Sequence, residues 1–92
     1  MAIAVVYTAP AMTVQQYNKS WEGGPPVAPP PELIFHAGVG EGPEFFTVTV
    51  WESQAAYDAF APIFAQAMAQ RGFVFGRPEI LPVHRFLPPA GR

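Results

Sequence analysis

Ten consecutive residues, GGPPVAPPPE at 23–32, carry five prolines and two glycines and therefore cannot continue a helix or enter the middle of a sheet. The segment is a partly polyproline-like connector, and it is too short to separate two domains. It divides the chain into a short first part that must finish its regular structure before Gly23 and a longer second part that begins at Leu33.

In the first part, residues 2–8 (AIAVVYT) are apolar at nearly every position and rich in β-branched side chains, which predicts a buried, central strand stopped by Pro10. Thr13 with Gln16 three residues on is a capping box, and Met12 and Tyr17 stand at staple positions, so a helix starts there. Val14, Tyr17 and Trp21 fall on one stripe of that helix, expected to be buried, and Gly23-Gly24-Pro25 ends it.

In the second part, LIFHAGVG and EFFTVTVW flank Gly40-Glu41-Gly42-Pro43, a hairpin signature. Counting back from that turn puts His36 on one face with Thr47, Thr49 and Trp51, while Phe46, Val48 and Val50 point the other way. Ser53 caps a second helix whose Tyr57, Phe60, Phe64, Ala67 and Arg71 share a face, ending at Gly72. Pro62 lies inside it and predicts a kink or break near Phe60–Ala61. PEILPVHRFL reads as a last strand, with Pro78 and Pro82 tolerated only at a sheet edge. The order is βαββαβ: one α+β domain over 1–92, ferredoxin-like, with a four-stranded antiparallel sheet and a flexible tail at 88–92.

Such a domain covers one sheet face with its helices and leaves the other bare. Here half of all 92 residues are hydrophobic and 13% are charged, against roughly 25% in an average soluble domain, so the bare face needs a partner. There is no cysteine for a disulfide, and a core this small gives only ~3–5 kcal/mol of net stability, which makes a homodimer the expected solution. A net charge of −2 with five scattered basic residues lacks the footprint of a nucleic-acid binder. The first nine residues have no basic lead and are too short to span a membrane, so neither a signal peptide nor a membrane anchor is expected, and the cytoplasm is the default location.

VWES at 50–53 opening an amphipathic helix with Tyr57 and Phe60, together with LIFHAG at 33–38 and PVHRFL at 82–87, resembles the antibiotic-biosynthesis-monooxygenase-like branch of the dimeric α+β-barrel superfamily over nearly the whole chain. The resemblance implies a dimeric barrel with a ligand held between helices and sheet, and chemistry ranging from cofactor-independent oxygenation to isomerisation, haem degradation or plain ligand binding. For the haem-degrading members it implies an Asn on the first strand and a Trp and a His on the second helix. This chain has Tyr7 on that strand, Phe60 at the Trp position and no His in 53–71, so no haem or other cofactor is expected.

His36, a titratable ring in an apolar strand, is the first candidate for a general base, with Tyr7 as a second polar contact; a histidine bonded to a neighbouring backbone or threonine reads equally from the same pattern. Trp21, Trp51, Tyr57, Phe60 and Phe64 are candidates for an aromatic substrate pocket, though helical and strand spacing also fits core packing. His84, two residues before Phe86, is a candidate lining residue near a partner subunit, or an ordinary edge histidine. The two histidines belong to strands at opposite sheet edges, so no metal site is expected. The first expectation is an enzyme acting on a flat, hydrophobic substrate; the alternatives are a non-catalytic ligand-binding or dimerisation module and, weakest, a haem-degrading oxygenase.

Overall fold

A computed structural model describes residues 1–87; the tail expected at 88–92 lies outside the described residues. The elements follow the order β1 (Ile3–Thr8), α1 (Val14–Ser20), β2 (Leu33–Val39), β3 (Phe46–Trp51), α2 (Gln54–Gln70) and β4 (Glu79–Pro82), with one 3-10 turn, Gly42–Glu44, in the β2–β3 hairpin. The four strands form one antiparallel sheet in the order β2-β3-β1-β4, an arrangement compatible with a ferredoxin-like fold. β1 is flanked on both sides, as its unbroken apolar run requires.

Local chemistry explains the element ends. The Thr13 hydroxyl accepts from the Gln16 backbone N–H at 3.2 Å while the Gln16 side chain accepts from Thr13 N–H at 3.1 Å, satisfying two donors that α1 would otherwise leave free. Ser53 caps α2 through Ala56 N–H at 3.1 Å. At the other end of α2, Gly72 takes φ +86°, Gly72 N–H donates to Ala69 and Phe73 N–H donates to Met68, the paired bonds of a Schellman motif.

Several expectations need correction. α2 runs through Pro62 as one helix, so the break expected near Phe60–Ala61 does not occur; the proline is exposed, as is Asp58, whose carbonyl loses its helical partner. α1 ends at Ser20, short of the glycines, because Trp21 already serves as its C-cap. The last strand stops at Pro82, so His84 lies beyond it, exposed, rather than on a strand; Pro82 has no N–H with which to extend the ladder.

The stripe Val14, Tyr17 and Trp21 is not buried: Trp21 is 39% exposed and the other two are half-buried. The same holds for Tyr57, Phe60 and Phe64 on α2, whose one buried residue is Met68. The tight core is small, Ile3, Val5 and Trp51, with Tyr7, Leu33 and the start of α2 packed on it. Both helices turn apolar residues toward the sheet, α2 packs onto it only at its start, and the remaining space between is a cavity.

On the opposite sheet face, Phe35, Val39, Phe46 and Leu81 are exposed. Beyond β4 the Val83 N–H donates to Ala2, just before β1, and the Phe86 ring stands 6.2 Å from that of Phe35. No helix among the described residues is long and apolar enough to cross a membrane.

Candidate functional site

The cavity between sheet, helices and proline-rich connector measures about 740 Å³, within the range of small-molecule sites. Its floor is the inward face of β1, β2 and β3, including Val5, Tyr7, His36, Thr47, Thr49 and Trp51; α1 and α2 form its walls, and Pro25, Pro26, Val27 and Pro29 its rim. None of the described lining residues carries a permanent charge.

Strand irregularity decides what the floor contains. Leu33 pairs with Trp51 but Phe35 pairs with Val50, so Ile34 is an extra residue bulged out of the ladder. Strict alternation from Leu33 would turn Phe35 inward and His36 out. The bulge resets the phase, and His36 pairs with Thr49 on the cavity side.

His36 is engaged there by Tyr17 of α1. Their Oη and Nε2 atoms are 2.7 Å apart, and the two rings lie nearly parallel, 13° between planes. With the imidazole proton on Nδ1, Tyr17 donates to Nε2. Gly38, next on the inward face of β2, makes room for the phenol, since a Cβ on it would stand 2.8 Å from the Tyr17 ring. Trp21 adds a tilted indole 5.5 Å from the imidazole. Burial lowers the pKa of His36 and raises that of Tyr17, so both are neutral at neutral pH.

At the other end of the floor, the pKa of Tyr7 is raised well beyond the ordinary phenol value, first by burial and then by the neighbouring Tyr57. Tyr7 remains a neutral donor. Between the two ends, Trp51 Nε1 donates to Thr49 Oγ1 at 2.9 Å. An aromatic wall runs from Trp51 through Phe60 and Phe64 to Phe75 at centroid spacings of 5.1, 6.0 and 6.1 Å, and Phe75 meets Tyr7 edge-on at 6.2 Å. The C-terminal ends of the two helices are joined where Arg71 Nη1 donates to the Ser20 carbonyl at 2.8 Å.

Seven of the eight candidates from sequence therefore surround one cavity: Tyr7, Trp21, His36, Trp51, Tyr57, Phe60 and Phe64. His84 is not among its lining residues. Sequence reasoning missed Tyr17, taken there as helix core, and Phe73 and Phe75, which lie in an irregular segment between α2 and β4. Among the described residues, no three His, Asp or Glu side chains stand close enough to hold a metal ion.

Chemically, the cavity has room for an uncharged apolar molecule against aromatic walls, with phenol and threonine hydroxyls and one neutral imidazole able to receive a proton. No family model, curated protein or solved structure matches the chain.

Proposed function

We propose that the chain is a small-molecule enzyme of the kind its resemblance to the antibiotic-biosynthesis-monooxygenase-like branch suggests. It binds a flat, uncharged, largely apolar substrate in the cavity and removes a proton from it. Oxygenation and isomerisation of such substrates share that first step, and His36, reached through Tyr17, is the group that takes the proton. The observation that carries this reading is the bulge-set His36, hydrogen-bonded to Tyr17 at 2.7 Å on the floor of a cavity whose described lining residues carry no permanent charge. Trp51, Tyr57, Phe60 and Phe64 hold the substrate's faces, and Tyr7 contacts an oxygen on it.

The test is a screen of flat phenols and enolisable ketones for turnover, followed by His36→Gln. Loss of turnover with unchanged ligand affinity supports the base assignment; turnover that survives the substitution refutes it. The runner-up, a binding module without chemistry, is favoured by one observation: among the described residues, the only titratable groups lining the cavity are His36 and three tyrosines. Tight binding with no product from any ligand would select it.

The proposal includes a homodimer, in which a second copy covers the outer sheet face. The exposed Phe35, Val39, Phe46 and Leu81 support it, since one self-complementary patch serves both subunits of a two-fold pair. A sedimentation run that finds a folded monomer at all concentrations removes the dimer and leaves the cavity reading intact.

A further inference from the structure

Four polar side chains of the cavity floor stand in a single row. Strand register sets Tyr7 beside Thr47 and His36 beside Thr49, so these side chains cross an otherwise apolar floor on one diagonal. Two strand spacings of ~4.8 Å and two residue rises of ~3.4 Å put its ends about 12 Å apart at the Cα atoms. Side chains stand roughly perpendicular to a sheet, so the two ends stay separate at the level of the ligand.

The ends differ in kind. At Tyr7 and the neighbouring Tyr57, no hydrogen bond to another described residue takes either phenol proton, so an O–H is left to donate to an oxygen acceptor. Where Tyr17 meets His36, in the tautomer with the imidazole proton on Nδ1, the phenol proton goes to Nε2 and the Tyr17 oxygen keeps its lone pairs to accept. Thr49 is intermediate: its oxygen accepts from Trp51, and its own proton is left to give.

The geometry points to a ligand of defined polarity, an uncharged conjugated molecule that sets a carbonyl oxygen against Tyr7 and Tyr57 and an acidic enol or phenol O–H against Tyr17. This assignment rests on the cavity being a small-molecule site and goes beyond it by fixing the ligand's class and direction.

Conjugation is required because proton removal at one end leaves an electron pair that must be held. Among the described residues, no positively charged side chain lines the cavity to hold it where it forms. Through a π system the pair reaches the far carbonyl, where the free phenol O–H stabilises the developing oxyanion. The balance is complete without an oxidant. The ligand O–H bond breaks and its proton goes to Tyr17 Oη, the Tyr17 proton goes to His36 Nε2, and the electron pair ends on the oxygen facing Tyr7. The imidazolium that forms has the Trp21 indole 5.5 Å away, within the range of a cation–π attraction that offsets part of its desolvation.

The test is calorimetric titration of the intact chain with three flat probes, at a pH where every phenol among them is un-ionised. Umbelliferone has a hydroxyl conjugated to a lactone carbonyl, herniarin is its methyl ether, and β-naphthol has the hydroxyl alone. Umbelliferone should bind about tenfold more tightly than either of the others, one hydrogen bond's worth in each comparison. Tyr7→Phe should erase its advantage over β-naphthol, and Tyr17→Phe its advantage over herniarin, with circular dichroism confirming that both variants fold. Equal binding of the three probes to the unaltered chain overturns the polarity assignment while leaving the small-molecule reading in place. Binding of none of them overturns both.

Discussion

The ring of Tyr17 occupies the space into which a side chain on residue 38 would grow: a Cβ on Gly38 would stand 2.8 Å from Tyr17 Cζ and 3.1 Å from its hydroxyl oxygen. A helix residue and a strand residue 21 positions apart in sequence thus share one volume, and the 2.7 Å bond between Tyr17 and His36 exists because position 38 has no side chain. The glycine holds the polar end of the cavity in place without touching it.

Gly38→Ala is therefore expected to separate Tyr17 from His36 while leaving the β2–β3 ladder intact. The phenol must shift, and a bond to a half-buried acceptor is lost, so stability should fall by about 1–2 kcal/mol in urea melts. Turnover or ligand affinity should fall further than this loss of stability explains. Unchanged ligand affinity would show that Tyr17 plays no part at the site.

The pH dependence of stability follows from the lowered pKa of His36. Above the unfolded value of 6.5 both states are neutral and the residue contributes nothing. As pH falls through 6.5 the unfolded chain takes up the proton before the folded one, so stability drops, by at most about 1.4 kcal/mol per pH unit, until the folded pKa is passed. His36→Gln, which keeps an acceptor near Tyr17, should flatten the curve in that window and leave it unaltered at higher pH. Denaturant midpoints between pH 7.5 and 5 measure the difference, about the span over which one such group acts.

The element order is legible in the sequence because each boundary has a local cause: the Thr13–Gln16 box, Ser53, Gly72 and the proline-rich connector act through neighbouring backbone groups alone. The inward position of His36 is also legible, but only from one direction. Counted back from the hairpin turn, it faces Thr49; counted forward from Leu33, it faces out, because nothing in LIFHAG marks Ile34 as the bulged residue. Tyr17 was hidden for a different reason. Helical periodicity reports which residues face the sheet and is silent on whether they reach it, so a stripe lining a cavity has the same signature as a stripe filling a core. Phe73 and Phe75 have no periodic setting at all, and their place beside Tyr7 depends on how the chain turns after α2.

Thr49 and Trp51 offer a test of the floor itself. Trp51 is 2% exposed and its indole N–H has Thr49 Oγ1 as partner at 2.9 Å. Thr49→Val keeps the shape and removes the acceptor, leaving a buried donor unpaired, a cost of about 1–3 kcal/mol. In a Trp51→Phe background the same change should be nearly neutral, so the double-mutant cycle gives a coupling energy of about 1 kcal/mol or more. Additive costs would mean that the bond is not made in solution.

Filling the cavity separates its worth to the fold from its worth to a ligand. Ala61 is half-buried on α2 and lines the space between helix and sheet, so the side chain of Ala61→Leu has room to enter it. A well-packed core penalises added methylenes, but an apolar cavity receives them, each contributing about 0.8 kcal/mol when fully buried. Leucine is also at home in a helix. The variant should melt at or above the temperature of the unaltered chain and lose most of its affinity for flat aromatic ligands, read by calorimetry. A destabilised variant would mean that the helix already lies on the sheet and the space is closed in solution. A stable variant with undiminished affinity would place the ligand elsewhere.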